Sequence, residues 1–422
     1  MALKFRAPRG TSDLIYPESE QVRNLLEVAG GILHLHGYRS ISTPVIESTA
    51  LFQRSIGEHT DIVTKEMYTF EDRGGESLTL RPEGTAPVVR AFLENSLASG
   101  GLPCKLYYQG PMFRRERPQA GRFRQFHQLG AEAIGSADPF LDAELMALNH
   151  RLFERLGLLA YRLAVNSVGC SSCREPYLRR LVSFLEQQQH RLCEQCSRRA
   201  GENPLRVFDC KNEQCRESLE SAPLVIDGLC APCRDHFDRV RSSLDFLEVP
   251  FRVDGRLVRG LDYYTRTAFE FQFEGLGSQN TVSAGGRYDC LVEQLGGPPT
   301  PAVGFSLGLE RLLMALGPEG LEPFNGQRLS LFVAGLKDAD RTQLLLLLTG
   351  IRRAGISAEA DFMERGLKAQ MKQAARLGAR FAVIAGGEEQ ERGEVVLRDM
   401  DAGEQRAVPR EEVIARLGEL LH

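Results

Sequence analysis

The chain has no apolar run approaching the roughly 18 residues that span a bilayer. Its opening, MALKFRAPRGTSDL, is too polar for a secretory signal. A cytoplasmic protein without membrane contact is expected. A global positive field is also missing, since 52 basic against 56 acidic residues leave a net charge of −4, so overall charge does not advertise a nucleic-acid partner. There is no GxxxxGK[ST] phosphate loop and no GxGxxG after a strand, which sets aside the P-loop and dinucleotide-binding classes. Internal repeats and low-complexity tracts are absent too.

What is present is ordinary in bulk and uneven in detail. The 422 residues are 42% hydrophobic and 26% charged, enough for roughly two to three globular domains. From Lys105 to Arg124 there are six basic residues and one acid, Glu116, a local track of the kind an RNA partner needs. Of ten cysteines, eight fall between Cys170 and Cys233. That clustering marks a module, and in a reducing compartment its spacing favours metal or free thiols over disulfides.

Residues 19–36 have helical spacing, with Val22, Leu25, Leu26, Ala29, Ile32 and Leu33 on one side. The run from Met67 reads as strand, glycine turn at Gly74 and Gly75, and strand. A helix is expected from about Ala86, with Thr85 as its cap. KLYYQGPMF and QFHQLGAEAIG read as strands around an Arg-, Gly- and Pro-rich loop, and 138–157 as a helix. FEFQFEG and NTVSAGGRYDCL suggest antiparallel pairing, and GFSLGLERLLMAL a strand entering a helix. Pro318 and LEPFNGQ look like a linker. Beyond it strands alternate with helices, the grammar of a small α/β domain.

Several stretches carry chemistry. In RGLDYYTRTAFEF, Arg259 offers a planar fork suited to a carboxylate or phosphate. Tyr263 and Tyr264 on an extended strand point to opposite faces, so one packs and the other meets a ligand. In MFRRERP, Arg114 and Glu116 share a strand face, able to grip a phosphate and an adenine amine. In GRFRQFHQLGAEA the even spacing puts Phe126, Gln128 and Glu132 on one face. In RPEGT, Glu83 sits in a rigid turn with Thr85 beside it, a pair that can receive an ammonium group. In SAGGRYD, Gly285 and Gly286 let backbone approach a ligand. In GFSLGLERLL, Arg311 at a helix start favours a polyphosphate.

Together, in this order, these segments resemble the histidyl-tRNA synthetase family of class II aminoacyl-tRNA synthetases. The three class motifs look like GYRSISTPVIE, MFRRERP through QFHQ, and GFSLGLERLL, and the two histidine-specific signatures resemble RGLDYYTRTAFEF and SAGGRYD. PRGTSDL, from Pro8 to Leu14, also matches. The resemblance covers nearly the whole chain except the cysteine-rich insertion. It implies an α+β fold: an antiparallel class II sheet with flanking helices over 1–165 and 249–322, an insertion over 166–248, and a C-terminal α/β anticodon-binding domain over 326–422. It implies a homodimer with 37–47 at the interface. It also implies ligation of L-histidine to tRNA(His) through a histidyl-adenylate, with ATP and Mg2+. By similarity, Arg114 and Arg259 hold the α-phosphate and the histidine carboxylate, and Arg311 the γ-phosphate. Glu116 and Phe126 address adenine. Glu83, Thr85 and Gln128 receive the α-amino group. Glu132 and Tyr264 bind the imidazole, with Tyr263 adjoining them.

The insertion's pairs are Cys170-x2-Cys173, Cys193-x2-Cys196, Cys210-x4-Cys215 and Cys230-x2-Cys233. Paired knuckles are a zinc signature. One structural zinc held by two of the last three pairs is expected. Cys193, Cys196, Cys230 and Cys233 are the first choice, since both pairs are C-x2-C. Cys210 and Cys215 are substitutes, and reduced thiols without metal are the alternative. Two other functions stay in play: the synthetase-like, non-catalytic regulatory subunit of ATP phosphoribosyltransferase, and a zinc-dependent RNA-binding module.

Overall fold

The computed structural model describes residues 5–57, 60–277, 280–326 and 328–421. The chain forms two units, Met1–Asn325 and Gly326–His422. The first begins with helix α1 (Glu18–Leu35), which buries Val22, Leu25, Ala29, Ile32 and Leu33, the face its spacing predicts. At Gly37 the chain turns with φ +79, a conformation open to glycine. It then enters strand β1 (Arg39–Ser40), followed by β2 (Ile46–Ser48) and α2 (Thr49–Ile56). The expected hairpin is β3 (Tyr68–Glu71) and β4 (Ser77–Leu80), and β4 also pairs with β2. Next come α3 (Thr85–Glu94), β5 (Cys104–Phe113), β6 (Gln125–Ile134), α4 (Pro139–Arg155) and β7 (Tyr161–Ser167).

The insertion contributes helices α5 (Ser171–Gln187), α6 (Glu194–Glu202), α7 (Glu213–Ser218) and α8 (Ala231–Phe246). It has a core of its own around Tyr177, Leu181 and Val207. Phe237, Val240 and Leu244 of α8, however, join the main core beside α4. The unit closes with β8 (Arg252–Val253), β9 (Thr265–Phe273), β10 (Thr281–Arg287), α9 (Leu291–Gln294), β11 (Ala302–Gly308) and α10 (Leu309–Leu321). The last of these bends at Gly317, just before Pro318.

One sheet organises this unit, in the order β1-β5-β6-β11-β10-β9-β7-β8. It is antiparallel from β5 to β7, with parallel pairs at its two edges. Alternation along β6 explains its two faces. Leu129, Ala131 and Ala133 meet α1 and α4 in the larger core. Phe126 and Ile134 face the opposite cluster, where Tyr108, Tyr263, Tyr264 and Tyr288 gather.

The second unit has β12 (Leu331–Gly335), α11 (Arg341–Arg353), β13 (Ala358–Ala360), α12 (Leu367–Arg376) and β14 (Phe381–Ala385). It continues with α13 (Gly387–Glu391), β15 (Glu394–Asp399), β16 (Gln405–Pro409) and α14 (Val413–Leu421). Its sheet runs β13-β12-β14-β15-β16. The first three strands are parallel, as alternation suggests, but β15 and β16 return antiparallel. Asp340 caps α11, accepting from the N–H groups of Thr342 and Gln343.

A buried ionic network ties the insertion to the sheet. Asp142 of α4 accepts from Arg287 Nε (3.0 Å), His236 Nε2 (2.8 Å) and Thr267 Oγ1 (2.6 Å). Arg287 also donates to the carbonyls of Ser136 and Asp138. Both charged side chains are fully buried, and removing one partner of such a pair costs about 3–5 kcal/mol. Asp142→Ala is therefore expected to lower the thermal unfolding midpoint sharply, read by far-UV circular dichroism. A midpoint within a degree or so of wild type would contradict this role.

Candidate active site

The cleft lies on the tyrosine side of the main sheet and encloses about 1000 Å³. Beneath its wall lies Glu132, fully buried toward the C-terminal end of β6. Thr85 Oγ1 donates to one of its oxygens (2.7 Å) and Tyr288 OH to the other (2.5 Å). Burial pushes the carboxyl up to about 8, helped by the nearby Glu83 charge and opposed by the two hydroxyls. Glu132 itself lies beneath the cleft wall, while Glu83, Thr85 and Gln128 line it.

Thr85 does not cap α3. The cap position is Gly84, and the side chain of Glu83 before it accepts from the N–H groups of Thr85 (2.7 Å) and Ala86 (2.9 Å). Two residues before the first turn, its carboxylate can satisfy two orphan donors at once. This releases the Thr85 hydroxyl for Glu132. Gln128 Oε1 is buried and has no hydrogen-bond partner among the described residues, so it is ready to accept from a ligand.

Cations occupy the other parts of the cleft. Arg114 Nε donates to the carbonyl of Pro82 (2.9 Å), and its guanidinium lies 5.3 Å from the Phe126 ring centre. Glu116 sits 3.1 Å from Arg122 and 3.9 Å from Arg114. Arg259 is bound by Glu270 and stands 5.6 Å from the Tyr264 ring centre. Burial disfavours the Arg259 charge, but Glu270 together with Tyr264 and Tyr263 outweighs it and holds the pKa above its ordinary value. Arg311 donates to the carbonyls of Gly121 (3.0 Å) and Thr281 (2.9 Å). Burial and the neighbouring Arg122 charge lower its pKa.

Tyr263 and Tyr264 both line the cleft, their ring centres 4.8 Å apart. The alternation expected for them fails because the chain turns at Asp262 and Tyr263, and β9 starts only at Thr265. The glycines of SAGGRYD also act differently from expectation. A Cβ on Gly285 would sit 2.2 Å from the carbonyl of Gly304, and one on Gly286 2.3 Å from that of Thr267. The space they leave is filled by neighbouring strands.

The zinc ligands chosen from sequence do not form a set. Cys193 and Cys196 group with Cys210 and Cys215, whereas Cys230 and Cys233 group with Cys170 and Cys173. Each C-x2-C pair sits at a helix start, and the helices bring each to a different partner. Sequence spacing gives the pairs but not their tertiary pairing.

Other cleft residues went unread in the sequence. Glu270 and Glu310 line the cleft, and Glu310 accepts from the backbone N–H of His127 (2.9 Å). Glu270 alternates with Phe269 and Phe271 on β9, and that alternation was the available signal. The insertion also reaches the cleft through Cys193, Arg206, Asp209, Cys210, Lys211 and Asn212. No local pattern marks them, because only tertiary packing brings them there.

An antiparallel sheet carrying a cleft lined by several arginines, with the buried carboxyl groups Glu83 and Glu132 at its wall, is the catalytic core of a class II aminoacyl-tRNA synthetase. A family model described as histidyl-tRNA synthetase matches residues 10–312, and one described as an anticodon binding domain matches 341–420. A histidine–tRNA ligase of Desulforudis audaxviator is 51% identical over 410 residues, covering 97% of each chain. One from Pelotomaculum thermopropionicum is 51% identical over 412 residues, covering 98% of this chain and 97% of its own. The crystal structure of the Staphylococcus aureus histidyl-tRNA synthetase superposes with a TM-score of 0.81 at 37% identity, covering 98% of this chain and 99% of that one. The chain belongs to the histidyl-tRNA synthetase family.

The raised Glu132 pKa has a sign that can be tested. The folded state holds this proton up to about pH 8, while the ordinary carboxyl value is 4.5. Stability therefore falls as pH rises from 4.5 toward 8, because the unfolded chain gives up this proton in that window while the folded chain keeps it. The unfolding midpoint of Glu132→Gln should gain on wild type across that window. A difference that stays constant with pH would contradict the buried, protonated carboxyl.

Proposed function

We propose that the protein ligates L-histidine to tRNA(His) in two steps. A histidine carboxylate oxygen attacks the α-phosphorus of ATP, the bond to the β-phosphate oxygen breaks, and pyrophosphate leaves. The terminal ribose hydroxyl of tRNA then attacks the carbonyl carbon of histidyl-adenylate, and AMP leaves. The observation that carries this reading is the set of groups the cleft brings together: Glu83, Thr85 and Gln128 in the wall over buried Glu132, and Arg114, Arg259 and Arg311 farther along the lining. Acceptors for an amino group and an imidazole beside forks for phosphate and carboxylate fit histidine and ATP together.

In this reading Arg114 and Arg259 grip the α-phosphate and the histidine carboxylate. In-line displacement at phosphorus needs positioning and charge neutralisation more than a protein nucleophile. Glu270 keeps Arg259 aimed, and the carbonyl of Pro82 does the same for Arg114. Phe126 backs the adenine, with Glu116 at its edge. Arg311 meets the γ-phosphate. Glu83, Thr85 and Gln128 surround the α-amino group, while Glu132 and the Tyr263–Tyr264 wall read the imidazole nitrogens. A site built for two polar ring nitrogens leaves its own groups unpaired with another side chain, which gives specificity.

ATP is used with Mg2+, as in class II synthetases generally. Mg2+ takes a few carboxylate oxygens together with phosphates, and Glu270 and Glu310 in the cleft fit that donor set. The ion supplies charge neutralisation on the phosphate chain. The 326–422 unit takes the anticodon end of the tRNA. A homodimer joined through 37–47, a cytoplasmic location and structural zinc in the insertion belong to the same proposal.

The regulatory-subunit alternative has no use for an intact set of phosphate-directed arginines and is not favoured. Histidine-dependent exchange of pyrophosphate into ATP tests the choice, and its absence in the full-length protein would reject ligation. Arg259→Ala should slow single-turnover adenylate formation by about 10²–10³-fold. A near-wild-type rate would remove Arg259 from the chemistry.

A further inference from the structure

The eight insertion cysteines assemble into two four-thiol sets, Cys170/Cys173/Cys230/Cys233 and Cys193/Cys196/Cys210/Cys215. Within each set all Sγ atoms lie within 4.8 Å of one another. Cys170 Sγ is 3.8 Å from that of Cys173 and 3.9 Å from that of Cys230, and Cys193 Sγ is 3.9 Å from that of Cys210. A disulfide requires about 2.05 Å. A tetrahedral ion with bonds of about 2.3 Å to sulfur places its ligands about 3.8 Å apart. The observed spacing is that of a tetrathiolate edge.

The surroundings suit thiolates. Cys170, Cys193 and Cys230 immediately precede α5, α6 and α8, where helix N-termini favour negative charge. The backbone N–H of Cys193 points at Cys215 Sγ and that of Cys230 at Cys173 Sγ, each at 3.1 Å. Such donors orient and stabilise metal-bound sulfur.

The two sets stand at different places. The first joins the start of the insertion to the start of α8, closing its neck. The second closes its tip, and the tip faces the cleft: Cys193 and Cys210 are in its lining, along with Lys211. Arg122 and Arg311 are in the same lining. Cations collected against their mutual repulsion in a cleft call for a polyanion.

We infer that the insertion holds two tetrathiolate zinc ions, and that the one at Cys193, Cys196, Cys210 and Cys215 fixes Lys211 over the cleft as a further cation for the phosphate chain of ATP. The second half of this inference rests on the adenylating reading; the metal count does not. The short Cys210–Cys215 stretch carries Lys211 immediately after a ligand, so the ion sets where the ammonium group stands. Zinc here is structural, with four protein thiolates and no open position.

The test begins with elemental analysis of freshly purified full-length protein. About two zinc equivalents per chain are expected for two closed sites, and one or fewer overturns the inference. Cobalt substitution of the same protein should give the absorption of a tetrahedral tetrathiolate, and octahedral spectra would overturn it. Lys211→Ala should keep both zinc ions and raise the KM for ATP in pyrophosphate exchange roughly tenfold, the size of one charge-assisted contact. Its KM for histidine should stay put, and Lys211→Arg should restore most of the loss. The double variant Cys210→Ser/Cys215→Ser should retain one zinc and show the same ATP defect. If that variant does not fold, the Lys211 pair decides: an unchanged KM for ATP in Lys211→Ala overturns the role of the tip. If the wild-type protein shows no exchange at all, the ligase reading fails while the zinc count still stands or falls separately.

Discussion

Burial of one carboxyl group, Glu132, orders this protein. It lies on β6, an interior strand of the main sheet, in the half of that strand that is covered on both faces. Burying a carboxyl there is costly unless hydroxyls or amides surround it. Four stretches far apart in sequence meet that need. RPEGT supplies Thr85 and SAGGRYD supplies Tyr288. GFSLG supplies Gly304, which pairs with Glu132 across β6 and β11. A Cβ at Gly304 would lie 1.7 Å from the Glu132 carboxylate, so any side chain there would displace the group around which the cleft is built. RGLDYY supplies the tyrosine wall, with Tyr263 5.7 Å from Tyr288, ring centre to ring centre.

From that point outward the character of the cleft changes. Glu83 and Glu132 are buried carboxyl groups, and burial raises both pKa values. Farther along the lining stand Arg114, Arg259 and Arg311, each fixed by a carboxylate or a backbone carbonyl. Groups held this way need little reorganisation when charge develops on phosphorus, which is where preorganised electrostatics contribute most. The same fixing explains the insertion. Its α8 is anchored in the main core and its His236 in the Asp142 network, so its tip can reach the cleft from a firm base.

Much of this was legible along the chain. Even spacing correctly placed Phe126, Gln128 and Glu132 on one strand face, because β6 is a regular strand. The same rule failed for Tyr263 and Tyr264, because a turn at Asp262 replaces the strand there. Thr85 looked like a helix cap by residue type, yet Glu83 reaches the same N–H groups with two oxygens instead of one. The glycines of SAGGRYD announced a close approach, but nothing local could say that the approaching group was a neighbouring strand. Cysteine spacing gave the pairs and not their partners, since partnership depends on how α5 to α8 pack. Glu310 and Lys211 were invisible for the same reason: their neighbours are remote in sequence.

The role of Glu132 can be measured directly through protons. At pH 7 its carboxyl, with a pKa pushed up to about 8, is mostly protonated. A histidine side chain donating a ring N–H to it favours the ionised form. Calorimetric titration with histidine, repeated in buffers of different ionisation enthalpy, counts the protons released on binding. Wild-type protein should release nearly one proton more than Glu132→Gln. Equal release by the two proteins would contradict a buried carboxyl that reads histidine from beneath the cleft wall.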